Sequence, residues 1–211
     1  MKRLLERWFG EGETQPLRAA RWVVVDCETS GLDSARDRLL QVGAVAVRAG
    51  RIELGEAFSA LLRQEAASDA ANILVHGIGG DAQRNARPAP EVLREFSTFL
   101  GDGLPVAFHA NFDHAVLRRA MAQVPGLTLA SDWLDLAKVA PALHPAPGAA
   151  QRGLDDWLDE FGIACPARHD ALADAYATAQ LLLVLLADAE RQGAGSVDAL
   201  RRLERSGRWV R

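Results

Sequence analysis

Cysteine is scarce in this chain of 211 residues: only Cys27 and Cys165 occur, too few for a disulfide framework or a zinc knuckle. Both sit among apolar neighbours and read as small buried fillers. Net positive charge is missing as well. The formal charge is −4, so there is no broad basic field to gather a polyanion, and a local basic rim or metal ions would have to do that work. Lysine is nearly absent, present only as Lys2 and Lys138, and arginine carries the rest of the basic charge. Because alanine is also abundant, this reads as compositional bias. Long apolar runs are lacking too. The longest, Leu181 to Ala187, is far short of a bilayer span, and the stretch from Met1 to Phe9 holds no apolar core of signal-peptide length. The expectation is a cytoplasmic protein with no membrane partner.

What is present is an ordinary globular composition. Apolar residues at 49% and charged residues at 25% suit one well-packed domain of this length with short extensions. Residues 1–20 read as an N-terminal extension, an amphipathic start followed by a polar linker, and residues 192–211 as a Gly-rich, then basic and helical, tail. Between them, 22–27, 39–47 and 51–62 read as three strands of an antiparallel meander, with Ala49-Gly50 as the break between the last two. Residues 72–87 read as loop-rich. Pro90 opens a helix over 91–100. A fourth strand is expected over 104–109, then a helix from Phe112 to about Gln123 capped by Asn111. A fifth strand is expected over 127–131. Pro141, Pro145 and Pro147 mark a loop, and 154–161 is a short helix ended by Gly162. The last long helix runs from 169 to about 191, with Leu172, Tyr176, Ala179, Leu183 and Leu186 on one face. Strands followed by helices interleaved with further strands imply an α/β fold, a mixed sheet flanked by helices, whose ligands usually sit beyond the strand ends.

The stretch from Arg21 to Gly31 organises the rest. Val23, Val24 and Val25 run into Asp26 and Glu28, and alternation along a strand points those two acids the same way. Paired carboxylates at the end of a buried strand repel and lose solvation, which a divalent cation would relieve; two solvated acids at a strand-to-turn boundary fit this stretch equally well. Three further groups could join them. Asp113 lies at the start of the helix after the fourth strand. Asp174 lies one turn into the long helix, amid Ala, Leu and Tyr, where an inward, paired acid is expected. His169 stands at the start of that helix, where the positive end of the dipole favours a neutral imidazole, the form a general base needs.

With these residues in view the chain resembles the DEDDh 3′–5′ exonucleases, the family of the proofreading epsilon subunit of bacterial DNA polymerase III, over roughly residues 21–190. Asp26-Cys27-Glu28-Thr29 is similar to the first motif, D-x-E-T. Phe112-Asp113 is similar to the second, and His169 with Asp174 to the third, H-x4-D. The resemblance implies a ribonuclease H-like fold with a five-stranded mixed sheet and an exonuclease domain over 21–191. It also implies that Asp26, Glu28, Asp113 and Asp174 hold two Mg²⁺ or Mn²⁺ ions, with His169 as the catalytic base. Val75-His76-Gly77-Ile78 is similar to a segment whose histidine approaches the terminal nucleotide, which makes His76 a substrate-binding expectation, as is Thr29. The implied partners are a single-stranded nucleic-acid 3′ end and a DNA polymerase or repair partner. Trimming of RNA, as in oligoribonuclease and ribonuclease T, and a docking subunit of a polymerase are the competing readings. The second motif departs from the pattern: where the family carries Asn four residues before its Asp, this chain has His109, read as a structural histidine at a strand end or as a substrate contact. Arg168, beside His169, is in reach of a phosphate. His114 and His144 read as surface residues, Trp133 and Trp157 as core, and Asp132, Asp135, Asp155 and Asp156 as caps and solvated faces.

Overall fold

The computed structural model describes residues 15–206; the amphipathic start expected within residues 1–14 lies outside them. Five strands form one sheet in the order β3-β2-β1-β4-β5. They are β1 (Trp22–Thr29), β2 (Leu39–Arg48), β3 (Arg51–Leu61), β4 (Leu104–Ala107) and β5 (Leu134–Asp135). β1 pairs antiparallel with β2 and parallel with β4, so the sheet is mixed and β1 is central. A strand in that position is covered on both faces, which is why Trp22 to Val25 are all buried rather than alternating. β2 and β3 form a hairpin whose two-residue turn, Ala49-Gly50, has positive φ at both positions; this is the backbone that matches the strand twist.

Eight α-helices surround the sheet among the described residues: α1 (Ala70–His76), α2 (Gly80–Asn85), α3 (Ala89–Leu100), α4 (Ala110–Met121), α5 (Leu136–Leu143), α6 (Leu154–Glu160), α7 (Ala171–Arg191) and α8 (Val197–Ser206). Alternation along β1 feeds two cores. Val23, Val25 and Cys27 pack with Val92, Leu93 and Phe96 of α3 and Val116 and Leu117 of α4. Trp22 and Val24 pack on the other face with Val139 of α5, Leu181, Leu182 and Leu185 of α7, and Leu200 of α8. Asp26 and Glu28 continue the Trp22–Val24 side, so both project toward α7. α7 is long and apolar enough by composition to cross a bilayer, but here most of it is buried inside the fold.

Several local expectations need correction. The 72–87 stretch holds two short helices, because Asp69 caps α1 through Asn72 N–H and Gly77 ends it with a left-handed backbone. The fifth strand is Leu134–Asp135, not 127–131; only there does the chain reach β4, pairing Val106 with Leu134. Pro141 lies inside α5 rather than in a loop. The buried face of α7 runs through Asp174, Thr178, Leu181, Leu185 and Ala189, whereas Tyr176 is exposed: the helix carries both one core and, at its start, an acid of the cluster, so its apolar pattern does not single out one stripe. α4 starts at Ala110 with left-handed His109 at the cap position, two residues earlier than an Asn111 cap would give. Leu17 and Leu200, from the stretches assigned to the terminal extensions, are both buried in the core.

Candidate active site

The site lies where β1 ends and the starts of α4 and α7 converge on it. Gly43 of β2 pairs across from Asp26. A Cβ at Gly43 would come within 2.2 Å of the Ala171 backbone, so glycine is what lets the first turn of α7 lie directly on the strand. Gln41, paired opposite Glu28, reaches the same turn: its Oε1 accepts from Ala171 N–H at 3.4 Å and its Nε2 donates to Asp170 at 3.3 Å. Asp170 in turn caps α7 by accepting from Ala173 N–H at 3.0 Å. These contacts fix Asp174, one turn on, against the end of β1.

All seven residues expected at the site line one cavity of about 650 Å³: Asp26, Glu28, Thr29, His76, Asp113, His169 and Asp174. Oxygen or ring-nitrogen atoms of Glu28, His169 and Asp174 lie within 4.8 Å of one another. Glu28, Asp113 and Asp174 are buried, and Asp26 is partly so. Burial raises the Asp26 carboxyl well above its usual range, and the nearby Asp113, Asp174 and Glu28 charges add to it. Burial, with Asp174 and Asp170, lifts Glu28 to about 8. Asp113 rises to about 7 through burial, held back by hydrogen bonds from its own backbone and from the thiol and backbone of Cys27. Oxygen donors crowded together with too little countercharge are the set that hard divalent cations such as Mg²⁺ and Mn²⁺ take.

His169 has a left-handed backbone and an exposed ring. Its N–H donates to Asp174 Oδ2 at 2.9 Å, so the residue before the helix is tied to the acid inside it. Strain of this kind persists where the surroundings over-determine it, and it clusters at functional sites. His109 shares the feature: its backbone is left-handed and its N–H donates to Asp135 Oδ1 at 3.0 Å, while its ring packs on Phe108 and lines the same cavity.

The residues expected to face a substrate, Thr29 and His76, are held through Asn72. His76 is buried, with Nδ1 accepting from Ile78 N–H at 2.9 Å and Nε2 at 2.7 Å from Asn72 Oδ1; those partners assign the proton to Nε2. Burial lowers its pKa, in keeping with an Nδ1 that accepts a hydrogen bond and so carries no proton. Asn72 also donates to the Thr29 carbonyl at 3.1 Å, and Thr29 Oγ1 donates to the Gly31 carbonyl at 2.6 Å. Both hydrogen-bonding nitrogens of His76 are therefore engaged within the fold, which leaves a ring surface to face the cavity. Asn72 escaped the sequence reading, although its place four residues before His76 on one helix was the available signal. Leu32, Val75, Phe108, Phe112 and Leu154 complete an apolar rim; nothing in their spacing singled them out.

Other polar residues are engaged within the fold as well. Asp135 is a cap but a buried one, and Asp155 pairs with Arg168 at 2.6 Å. His144 is not a plain surface residue: it meets Asp188 at 2.8 Å and packs on Trp157 and Phe161. His114 packs on Trp133. Cys165 is only partly buried and its thiol donates to Asp174 Oδ1 at 3.2 Å.

A five-stranded mixed sheet with acids at the end of its central strand, closed by two helices that each bring a further acid, defines a ribonuclease H-like nuclease domain. The family model described as Exonuclease (RNase T) matches residues 23–182, and the chain belongs to that exonuclease family. A Rhodobacter capsulatus protein named DNA polymerase III subunit epsilon-like protein is 34% identical over 201 residues, which cover 93% of this chain and 28% of that protein. The chain spans 12% to 28% of the length of the curated relatives it matches. The crystal structure of E. coli Exonuclease I in complex with a dT13 oligonucleotide has a similar fold, with a TM-score of 0.69 at 18% identity over 82% of this chain and 42% of that one. So does the nuclease domain of 3′hExo, a DEDDh family member, bound to rAMP, with a TM-score of 0.68 at 16% identity over 82% of this chain and 94% of that one.

Proposed function

We propose that this chain hydrolyses single-stranded DNA from its 3′ end, releasing nucleoside 5′-monophosphates. The observation that carries the reading is the convergence of Asp26, Glu28, Asp113, Asp174 and His169 on one cavity. The four carboxylates would hold two Mg²⁺ or Mn²⁺ ions. Such ions supply Lewis-acid polarisation of the scissile phosphate and acidify the attacking water. The protein's own part is then proton transfer and positioning. His169, with an exposed ring on a backbone tied to Asp174, takes the proton from the attacking water. Asp174 is set by the His169 N–H and the Cys165 thiol. The Thr29 backbone and the His76 ring, braced through Asn72, border the end of the strand, and the apolar rim excludes water from the terminal base. The dT13 complex of the similar Exonuclease I fold supports a single strand as substrate.

The exonuclease unit is assigned to residues 21–191, with 1–20 and 192–211 as flanking segments. The relatedness to a polymerase III epsilon-like protein supports a polymerase or repair partner for those segments, in a cytoplasmic setting.

Digestion of matched single-stranded DNA and RNA oligomers labelled at the 5′ end, with Mg²⁺ or Mn²⁺, tests the assignment. The expected product is a ladder shortening from the 3′ end, faster on DNA. Internal cuts in a circular single strand would contradict it, and faster digestion of the RNA would move the substrate to the ribonuclease class.

A further inference from the structure

Arg168 supplies the only Arg or Lys side chain among the described residues lining the acid-bearing cavity. Its guanidinium bridges two carboxylates of opposite character. Nη1 pairs with Oδ1 of Asp174, whose side chain is 5% exposed. Nε pairs at 2.6 Å with Oδ1 of Asp155, which is 67% exposed. Burial alone would lower the pKa of this guanidinium, yet the two carboxylates more than offset that and leave it raised. Its charge also acts on Asp26 and Glu28, in each case opposing the upward shift. Arg168 is therefore a built-in countercharge for the acid cluster, reaching it from a rim where a second carboxylate holds it.

Asp174 has limited room for another cation. Its Oδ2 accepts from the His169 N–H, and its Oδ1 already takes the Cys165 thiol beside the guanidinium. A divalent cation seeking Asp174 must share or displace that guanidinium, because the two charges repel and want the same oxygen. Asp155 offers the displaced side chain a second, solvated carboxylate.

We propose that Arg168 is an affinity-setting residue: it competes with the divalent cation for Asp174 and withdraws to Asp155 when the cation binds. The proposal rests on the four-carboxylate reading above. It makes the site's cation affinity weaker than its acids alone would give, while sparing the fold the repulsion of four uncompensated carboxylates at low metal.

Two single substitutions should shift affinity in opposite directions. Arg168→Gln removes the competitor and should bind Mn²⁺ more tightly, by about tenfold if the lost competition is of ordinary ion-pair size. Asp155→Asn removes the alternative partner, leaves Arg168 to Asp174 alone, and should weaken Mn²⁺ binding severalfold. In the double variant the Asp155 effect should vanish, since it acts through Arg168. The measurement is calorimetric titration of the full chain with Mn²⁺, with melting in chelator as a second readout; there Arg168→Gln should melt below wild type. Equal or weaker Mn²⁺ binding by Arg168→Gln overturns the proposal, as does an Asp155→Asn effect that persists in the double variant. Asp155 is exposed, so its single variant reports even if Arg168→Gln folds poorly. Asp174→Asn separates the two levels of the argument. If it loses Mn²⁺ binding while Arg168→Gln gains none, only the competition fails. If wild type and Asp174→Asn both bind no Mn²⁺, the four-carboxylate reading fails with it.

Discussion

Two groups of buried acids flank the start of α4, and they are built on opposite plans. On one side Asp135 and Glu204 are almost fully buried, and each is answered. Asp135 meets Lys138 at 2.5 Å and accepts from His109 and Ala137 N–H groups. Glu204 accepts from Asp135 N–H at 3.1 Å and faces Arg201 at 3.6 Å, while Arg201 also holds Asp132 at 3.3 Å. On the other side Arg168 pairs with Asp174 and its charge reaches Asp26 and Glu28, while Asp26, Glu28 and Asp113 are pushed toward protonation. Buried charge persists where it is paired. The matched cluster therefore braces: it ties α8 to β5 and, through His109, to the first turn of α4. The other cluster has more acids than countercharge, the imbalance that the proposed cations would relieve.

The largest effect that sharpens this contrast is on turnover. His169→Ala should lower it by about 10²- to 10⁴-fold, the range for losing a general base, while leaving Mn²⁺ binding by the four carboxylates in place. Single-turnover digestion paired with calorimetry checks this, and near-normal turnover would remove His169 from the mechanism.

Next comes pH. Glu28 and Asp113 have folded-state values of about 8 and about 7, above their ordinary values of 4.5 and 3.8. The folded state therefore holds protons that the unfolded chain has released, and stability in chelator should fall as pH rises from about 4 through about 8. Glu28→Gln should flatten that fall, and so should saturating metal. Melting temperatures across this range, with and without chelator, test the sign; a rise toward pH 8 in chelator would place the acids outside a common field.

The smallest effect belongs to the matched cluster. Glu204→Ala leaves the Asp135 N–H without its acceptor and Arg201 with Asp132 alone, and should cost about 1–3 kcal/mol. The loss should be the same in chelator and in metal, because this cluster has no unmatched charge for a cation to relieve. A loss that disappears in metal would merge the two clusters into one site.

The contrast also marks what the sequence could and could not reveal. Asp26 and Glu28 were legible because period-two alternation after three valines fixes their shared face, and Asp174 because an acid amid small apolar residues has to be explained. The sheet was legible in its first four strands for the same reason of pattern. β5 was not: two residues carry no periodicity, and their pairing depends on where β4 lies. Asp135 looked like a solvated cap because Glu204 and Arg201, its neighbours in space, come from some 70 residues further along. Arg168 and Asp155 are 13 residues apart, and nothing local says that one guanidinium spans both Asp155 and Asp174. Long-range pairing of charge is what a linear reading misses, and both clusters depend on it.

The most direct test of the central claim, that four carboxylates with one guanidinium among them form a cation site, is a thermal melt of wild type and Asp174→Asn in chelator and in millimolar Mg²⁺ or Mn²⁺. At about 100 times Kd a cation bound only to the folded state adds roughly 2.7 kcal/mol, or roughly 5–10 °C for a domain of this size. Wild type should show that rise. Asp174→Asn, with one repelling charge gone, should lose little stability in chelator and gain less from metal. No metal-dependent shift in wild type, or the same shift in both proteins, would contradict the account.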